Sequence, residues 1–218
     1  MNPSIESARH LLQSARRIVC FSGAGLSAES GISTFRDTET DALWSRVDPM
    51  MLASPEGFAD NPQRVIDWYN WCRNTLARAT PNPGHYALAS RPDIVQVTQN
   101  VDDLLERAGV SPTRLYHLHG SITEDRCNRQ CGYHERVDLM APPGLRDCPR
   151  CGAAMRPSVV WFGESLPDDV WVSARGHCEN ADSLLVVGTS AAVYPAASLI
   201  DLAKRRGASV IVVNTQPS

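Results

Sequence analysis

The apolar run Ile18-Val19-Cys20-Phe21 breaks directly into Ser22-Gly23-Ala24-Gly25, and a buried strand that ends in a glycine turn narrows the choice of folds sharply. Strand, glycine turn and helix together open a doubly wound α/β sheet. Three more short apolar runs follow, Ile94 to Thr98, Leu184 to Gly188 and Val210 to Asn214. All are β-branched and flanked by turn or polar residues, as strands buried on both faces should be. Their endings are Ser22, Thr98 to Asn100, Gly188-Thr189-Ser190 and Asn214. Ligands of open parallel sheets lie outside the C-terminal strand edges, so these endings converge on one crevice.

The expected fold is therefore α/β, a Rossmann-like doubly wound parallel sheet over residues 1–38, 83–120 and 157–218, preceded by an amphipathic helix over 5–17. Two insertions interrupt it. Residues 39–82 form a helical insertion, with a helix around Gln63 to Arg78, and 121–156 form a small zinc-binding domain. A length of 218 residues suits one main core with a small satellite. The net charge of −3 and a single lysine, Lys204, give no basic footprint for nucleic acid. No apolar stretch is long enough to span a membrane and the N-terminus lacks a secretion layout, so a cytoplasmic protein is expected.

Cysteine use agrees with a reducing compartment. Cys127-x3-Cys131, sixteen residues, then Cys148-x2-Cys151 has the spacing of a four-thiolate zinc ribbon, with one pair loosened by a residue. Four thiolates close the coordination shell, so this metal is structural. His134 is a substitute ligand if the extra residue redirects Cys131, and a nucleic-acid-binding ribbon is the rival reading of the module. Cys20, Cys72 and Cys178 are left over and are expected to be reduced and semi-buried.

Gly23 and Gly25 allow the backbone to approach a pyrophosphate, with a helix starting near Ser27 offering its N-terminus. With Gly31 third, the spacing departs from the usual dinucleotide fingerprint, and glycines that merely close a strand-to-helix turn remain an alternative. The ordered set GAGLSAESGISTFR, TQNVDDL, LHGS, two cysteine pairs, RPSVVWFGE, GTSAAVYPAA and a final strand ending in Asn214 resembles the sirtuins, the NAD-dependent protein deacylases. The resemblance runs from about Ile18 to Asn214.

That resemblance implies NAD as co-substrate, structural zinc, and acyl-lysine peptides or proteins as partners of a monomer. It implies that the acyl oxygen attacks the ribose carbon that releases nicotinamide, giving an alkylimidate, with His119 as the base that deprotonates the ribose. An imidazole suits that task because it titrates near neutral pH. Asn100 and Asp102 match the positions that hold the ribose and the nicotinamide carboxamide. Gly23, Ala24, Gly25, Ser27, Gln99 and Val101 complete that side of the cofactor site, Phe35 and Arg36 match a mobile cofactor loop, and Gly188, Thr189, Ser190 and Asn214 match the adenosine side.

Three departures stand out. The cofactor loop from Arg36 to Trp44 is about two residues longer than usual and acidic, Leu105 replaces a non-catalytic histidine, and the sequence ends four residues after Asn214 where relatives continue. The first changes loop closure, the second is a packing change, and the third means a shortened chain or weaker adenine binding.

By resemblance, a peptide adds as a strand beside Phe162-Gly163-Glu164 and the loop around Val193, which leaves selectivity to the acyl channel. Ala53 matches the alanine that widens this channel in desuccinylases and demalonylases, and Tyr69 matches their tyrosine. Cys72 stands where their arginine is expected, and Arg73, one residue on, is rotated by about 100° around the helix. The expected activity is deacetylation with weak desuccinylation. ADP-ribosyl transfer and an impaired NAD-binding module are the rivals.

Overall fold

The computed structural model describes residues 3–32 and 48–215. Phe35, Arg36 and the long loop to Trp44 lie outside the described residues. Strand β1 (Ile18–Ser22) is buried along its length and pairs in parallel with β2 (Ile94–Thr98) on one side and β7 (Ser183–Val187) on the other. A short β3 (Leu115–His117) extends the sheet beyond β2, and β8 (Ser209–Val213) extends it beyond β7. The resulting order, β3-β2-β1-β7-β8, reverses direction at β1 and places the switch point at the C-terminal ends of β1 and β7. The four sequence-expected strands are present, shifted by at most a residue, and β3 is the addition.

Alternating residues sort the core onto the two faces of the sheet. Val19, Phe21, Leu184 and Val186 pack beneath helices α7 (Asp168–Glu179) and α8 (Ser198–Arg205). Ile18, Cys20 and Ile94 meet Leu88 of α5 (Pro83–Ala89) and Leu105 of α6 (Leu104–Arg107), while α1 (Pro3–Ser14) lends Leu12 at the margin. Leu105 thus has the packing role expected of it. Cys20 and Cys178 are fully buried in these clusters and not semi-buried; desolvation pushes both thiols up to about 12.

The described part of the insertion folds as three helices, α2 (Pro49–Leu52), α3 (Pro55–Asp60) and α4 (Pro62–Arg78). Each begins with a polar cap followed by proline: Asp48, Ser54 and Asn61 accept backbone N–H bonds, and each proline occupies a first-turn position where its missing N–H costs nothing. A separate antiparallel sheet, ordered β5-β4-β6, comprises β4 (Gly120–Cys127), β5 (His134–Arg136) and β6 (Met155–Val159).

The helix expected near Ser27 is absent. Two single 3-10 turns, Ala24–Leu26 and Ala28–Ser30, stand in its place, closed by Ser27 N to Ala24 O and Gly31 N to Ala28 O, and Gly31 ends the second in the left-handed region. The glycines serve a contact between two strand ends. Gly23 N donates to Val187 O and Gly25 N to Gly188 O at 2.8 Å, so the turn after β1 is laced to the turn after β7. A Cβ on Gly188 would lie 2.3 Å from Leu26 N, at a φ of 57°. Gly188→Ala is expected to cost about 2–4 kcal/mol in urea unfolding, by strain and clash together, whereas Gly144→Ala, with nothing within 4 Å, changes stability by less than about 0.5 kcal/mol.

Candidate active site

The loop leaving β2 carries a run of polar side chains, Gln99, Asn100 and Asp102. Its carbonyls no longer have a strand partner, and each finds one elsewhere: Thr98 O takes Leu118 N, Val101 O takes Ile122 N, Gln99 O faces His119 Nδ1 at 2.9 Å, and Asn100 O faces His117 Nδ1 at 2.8 Å. Because a carbonyl only accepts, Nδ1 of His119 carries a proton and Nε2 keeps its lone pair. Burial holds His119 below the usual imidazole range, only partly offset by the Gln99 carbonyl, so the ring is a neutral base at pH 7.

Ser27 is the hub beneath this loop. Its hydroxyl donates to Asp102 Oδ2 at 2.9 Å and accepts from Asn100 Nδ2 at 3.1 Å. His85 Nε2 lies 3.4 Å away; since Asn82 N donates to His85 Nδ1, the neutral ring carries its proton on Nε2 and donates to Ser27. Burial pulls His85 down to about 4, which keeps it neutral. Asp102 moves the other way: burial raises it, against the Leu104 N–H and Ser27 hydroxyl that favour its anion. Its Oδ1 accepts from Leu104 N, so the same carboxylate caps α6.

Across the crevice, Gln99 Nε2 donates to Thr189 Oγ1 and Asn214 Nδ2 to Thr189 O, joining the ends of β2, β7 and β8. Gly23 is buried, Ala24 half-buried and Gly25 exposed at the rim; Val101 is half-buried, and Ser190 and Asn214 are exposed. Hydrogen bonds therefore link Ser27, Asn100 and Asp102 on one side, and His119, Gln99 and Thr189 on the other, with Gly188 beside them at the ends of β1, β2 and β7. His85, His117 and Glu106 join them, though none stood out in the sequence; the available signal for His85 was its place three residues after a helix-capping asparagine.

The acyl-channel residues divide. Ala53 and Tyr69 share one apolar cluster with Phe58 and Trp161, and Tyr69 Oη accepts from Trp161 Nε1 at 2.9 Å. Cys72 packs against it as a thiol, its pKa pushed up to about 12 by burial. Arg73, named above among the substrate residues, makes its own contacts on another side of α4. It is fully buried, ion-paired with Asp125 at 2.5 Å, and donates to Ile122 O and Glu124 O where β4 bulges. The one-residue displacement along α4 turns it to this face.

Phe162, Gly163 and Val193 are exposed, but the amides of Phe162 and Glu164 already donate to Ala53 O and Trp161 O. The Glu164 carboxylate is held by Arg126 and by Arg156, whose guanidinium lies 3.8 Å over the Trp161 ring. The Glu164 side chain is thus fully engaged, accepting also from Trp161 N.

Beyond Gly120, β4 runs from His119 straight to Cys127. The sulfurs of Cys127, Cys131, Cys148 and Cys151 all lie within 4.8 Å of one another, and His134 is not among them. Tetrahedral zinc with thiolate bonds of about 2.3 Å needs sulfur separations of about 3.8 Å, so the donor set and spacing fit that ion. Gln130, at φ 54°, and Gly132, at φ 85°, absorb the extra residue of the first pair.

Fold and site together define an α/β protein with a histidine-bearing polar crevice at its switch point and a four-cysteine module inserted beside it. The chain belongs to the Sir2 family, whose profile matches residues 23–195. An NAD-dependent protein deacylase of Mycolicibacterium paratuberculosis is 51% identical over 208 residues, covering 92% of this chain and 86% of its own length. Its counterpart from Mycobacterium tuberculosis is 49% identical over 210 residues, with coverages of 93% and 87%. A solved Sir2 homolog–NAD complex superimposes with a TM-score of 0.89 at 43% identity, covering 98% of this chain and 83% of that one. A Sir2–p53 peptide–NAD+ complex does so at 0.83 and 29%, with coverages of 98% and 88%.

Two outcomes are expected here. Arg73→Leu strands Asp125 and the bulge carbonyls, and should cost about 3–5 kcal/mol in denaturant unfolding. Elemental analysis should find one zinc per chain, and Cys148→Ser should lose it together with the order of β4 to β6, seen as new amide exchange in that segment.

Proposed function

We propose that this chain is an NAD-dependent protein-lysine deacylase that releases nicotinamide, the free lysine and O-acyl-ADP-ribose. The observation that carries the reading is His119: its Nδ1 is locked onto Gln99 O, its Nε2 meets no partner among the described residues, and Gln99 adjoins the Ser27, Asn100 and Asp102 cluster. In this reading residues 1–38, 83–120 and 157–218 bind the cofactor, 39–82 bear the cofactor loop and acyl pocket, and 121–156 bind the metal.

NAD, when bound, supplies an electrophilic ribose carbon with nicotinamide as leaving group. His119 Nε2 accepts a proton from the ribose hydroxyl and returns it later, and its lowered proton affinity keeps it ready at neutral pH. Asn100 orients the ribose. Asp102 retains a free lone pair on each oxygen, which suits carboxamide N–H groups. The Gly25 and Gly188 turns, where side chains do not fit, bring backbone close to the pyrophosphate, and Gly23, Ala24, Thr189, Ser190 and Asn214 serve the remainder of the cofactor. Phe35 and Arg36 are assigned to the cofactor loop by their motif alone.

The acyl channel is read as wide and neutral. Ala53 is small, Cys72 is an uncharged thiol where a guanidinium would bind a carboxylate, and Arg73 is committed to Asp125. Acetyl and longer neutral acyl groups are therefore the favoured substrates, presented by a peptide lying along Phe162 to Glu164 and Val193. Mass spectrometry of one peptide bearing acetyl, succinyl or longer acyl lysine should show NAD-dependent loss of acetyl with kcat/KM at least about tenfold above succinyl. Comparable rates on the two would overturn the neutral-channel reading, and nicotinamide release that ignores the acyl peptide would favour ADP-ribosyl transfer. His119→Ala should abolish turnover, and Cys72→Arg should raise desuccinylation relative to deacetylation about 10- to 100-fold.

A further inference from the structure

The two histidines near the end of β3 hold consecutive carbonyls of the site loop and face unlike environments. His119 finds no partner for its second nitrogen among the described residues. His117 points its second nitrogen at Glu106 Oε1, 2.9 Å away; the imidazole is 17% exposed and the carboxylate, at 37%, reaches solvent. Both nitrogens of His117 thus face groups that can only accept, the Asn100 carbonyl and a carboxylate, and a ring satisfies both only as an imidazolium. The contacts close a ring in the chain. Asn100 O binds His117, His117 binds Glu106 on α6, and α6 is capped at Leu104 by Asp102, two residues from where the circuit began.

We propose that His117, held as an imidazolium between Asn100 O and Glu106, is a positioning residue whose deprotonation releases the Asn100–Asp102 loop and sets the alkaline limit of activity. This rests on the deacylase reading above. Among the described residues, the charged groups facing His117 are Glu106 from α6 and Asp102 from the loop. On the opposite face of β3, Tyr116 Oη meets His177 of α7 at 3.1 Å, which turns that histidine to the other side of the strand. Burial pulls His117 down, but the Glu106 bond and charge, the Asn100 carbonyl and Asp102 outweigh it, and its proton affinity is raised. A proton held more tightly in the folded protein stabilises the loop fully at low pH, and that support is lost as pH rises through the folded pKa. His119 is shifted the other way, so activity should rise through the pKa of one histidine and fall through that of the other.

The test measures kcat/KM for NAD-dependent deacetylation of an acetyl-lysine peptide from about pH 6 to 10 in wild type, Glu106→Gln and His117→Gln. Glu106→Gln should move the descending limb toward acid by about one pH unit, the size of one lost charge-assisted hydrogen bond. His117→Gln keeps one donor for Asn100 O and should flatten that limb. The ascending limb should stay in place in both, and a descending limb unmoved in both variants overturns the proposal. Ring-nitrogen NMR of the intact protein gives a readout independent of turnover: His117 should carry two N–H protons at neutral pH in wild type, and in Glu106→Gln it should lose the second at a pH about one unit lower than in wild type. A singly protonated His117 in wild type overturns the proposal even if no deacylation is found, whereas absent turnover with a doubly protonated His117 sinks only the deacylase reading.

Discussion

A buried backbone carbonyl must find a donor, and this one requirement organises the site. Where β2 ends, four successive carbonyls from Thr98 to Val101 lose the strand ladder. Two are taken by amides of the segment that follows β3 and two by the rings of His117 and His119. The rings fix the loop, and the loop in return fixes which nitrogen of each ring bears a proton. His119 is left with a free lone pair, and His117 is drawn into an ion pair. Two residues of one type, two positions apart, acquire opposite proton affinities from what lies beyond the second nitrogen.

The same accounting explains how the cysteine module is tied to the crevice. Ile122 N binds Val101 O, and Val160 N binds His119 O, so the start of β4 and the end of β6 clasp the site from outside. Gly120 is obligatory at this junction, because a Cβ would lie 2.1 Å from Ser158 O. Further out, the bulge in β4 frees carbonyls that Arg73 binds, while Asp125 joins Arg73 to Arg146, which also pairs with Glu135 of β5. The guanidinium that sequence spacing turned away from the acyl-channel position anchors the helical insertion to the metal module. A buried charge is retained where its donors are all used, and this bulge supplies enough acceptors.

Much of the fold was legible before any coordinates. Runs such as Ile18 to Phe21 and Leu184 to Val187 can be little else than buried parallel strands, because their apolar content leaves no solvent face. The cysteine spacings named the metal module, and the motif set named the family. β3 escaped because three half-buried residues carry no period, and the supposed helix after Gly25 dissolved into two 3-10 turns, whose i to i+3 bonds leave no distinctive pattern.

The sequence by itself determined the strand order's raw material, the four thiolate donors, and the residue types at the crevice, since each follows from local chemistry at fixed spacing. Only the tertiary structure decided what those residues face. That Gly25 and Gly188 are glycines because two turns touch, that Arg73 serves Asp125, and that His117 and His119 hold their protons differently are all consequences of contacts between segments distant in the chain. Proton affinity and ion pairing depend on distance and burial, which residue order does not contain.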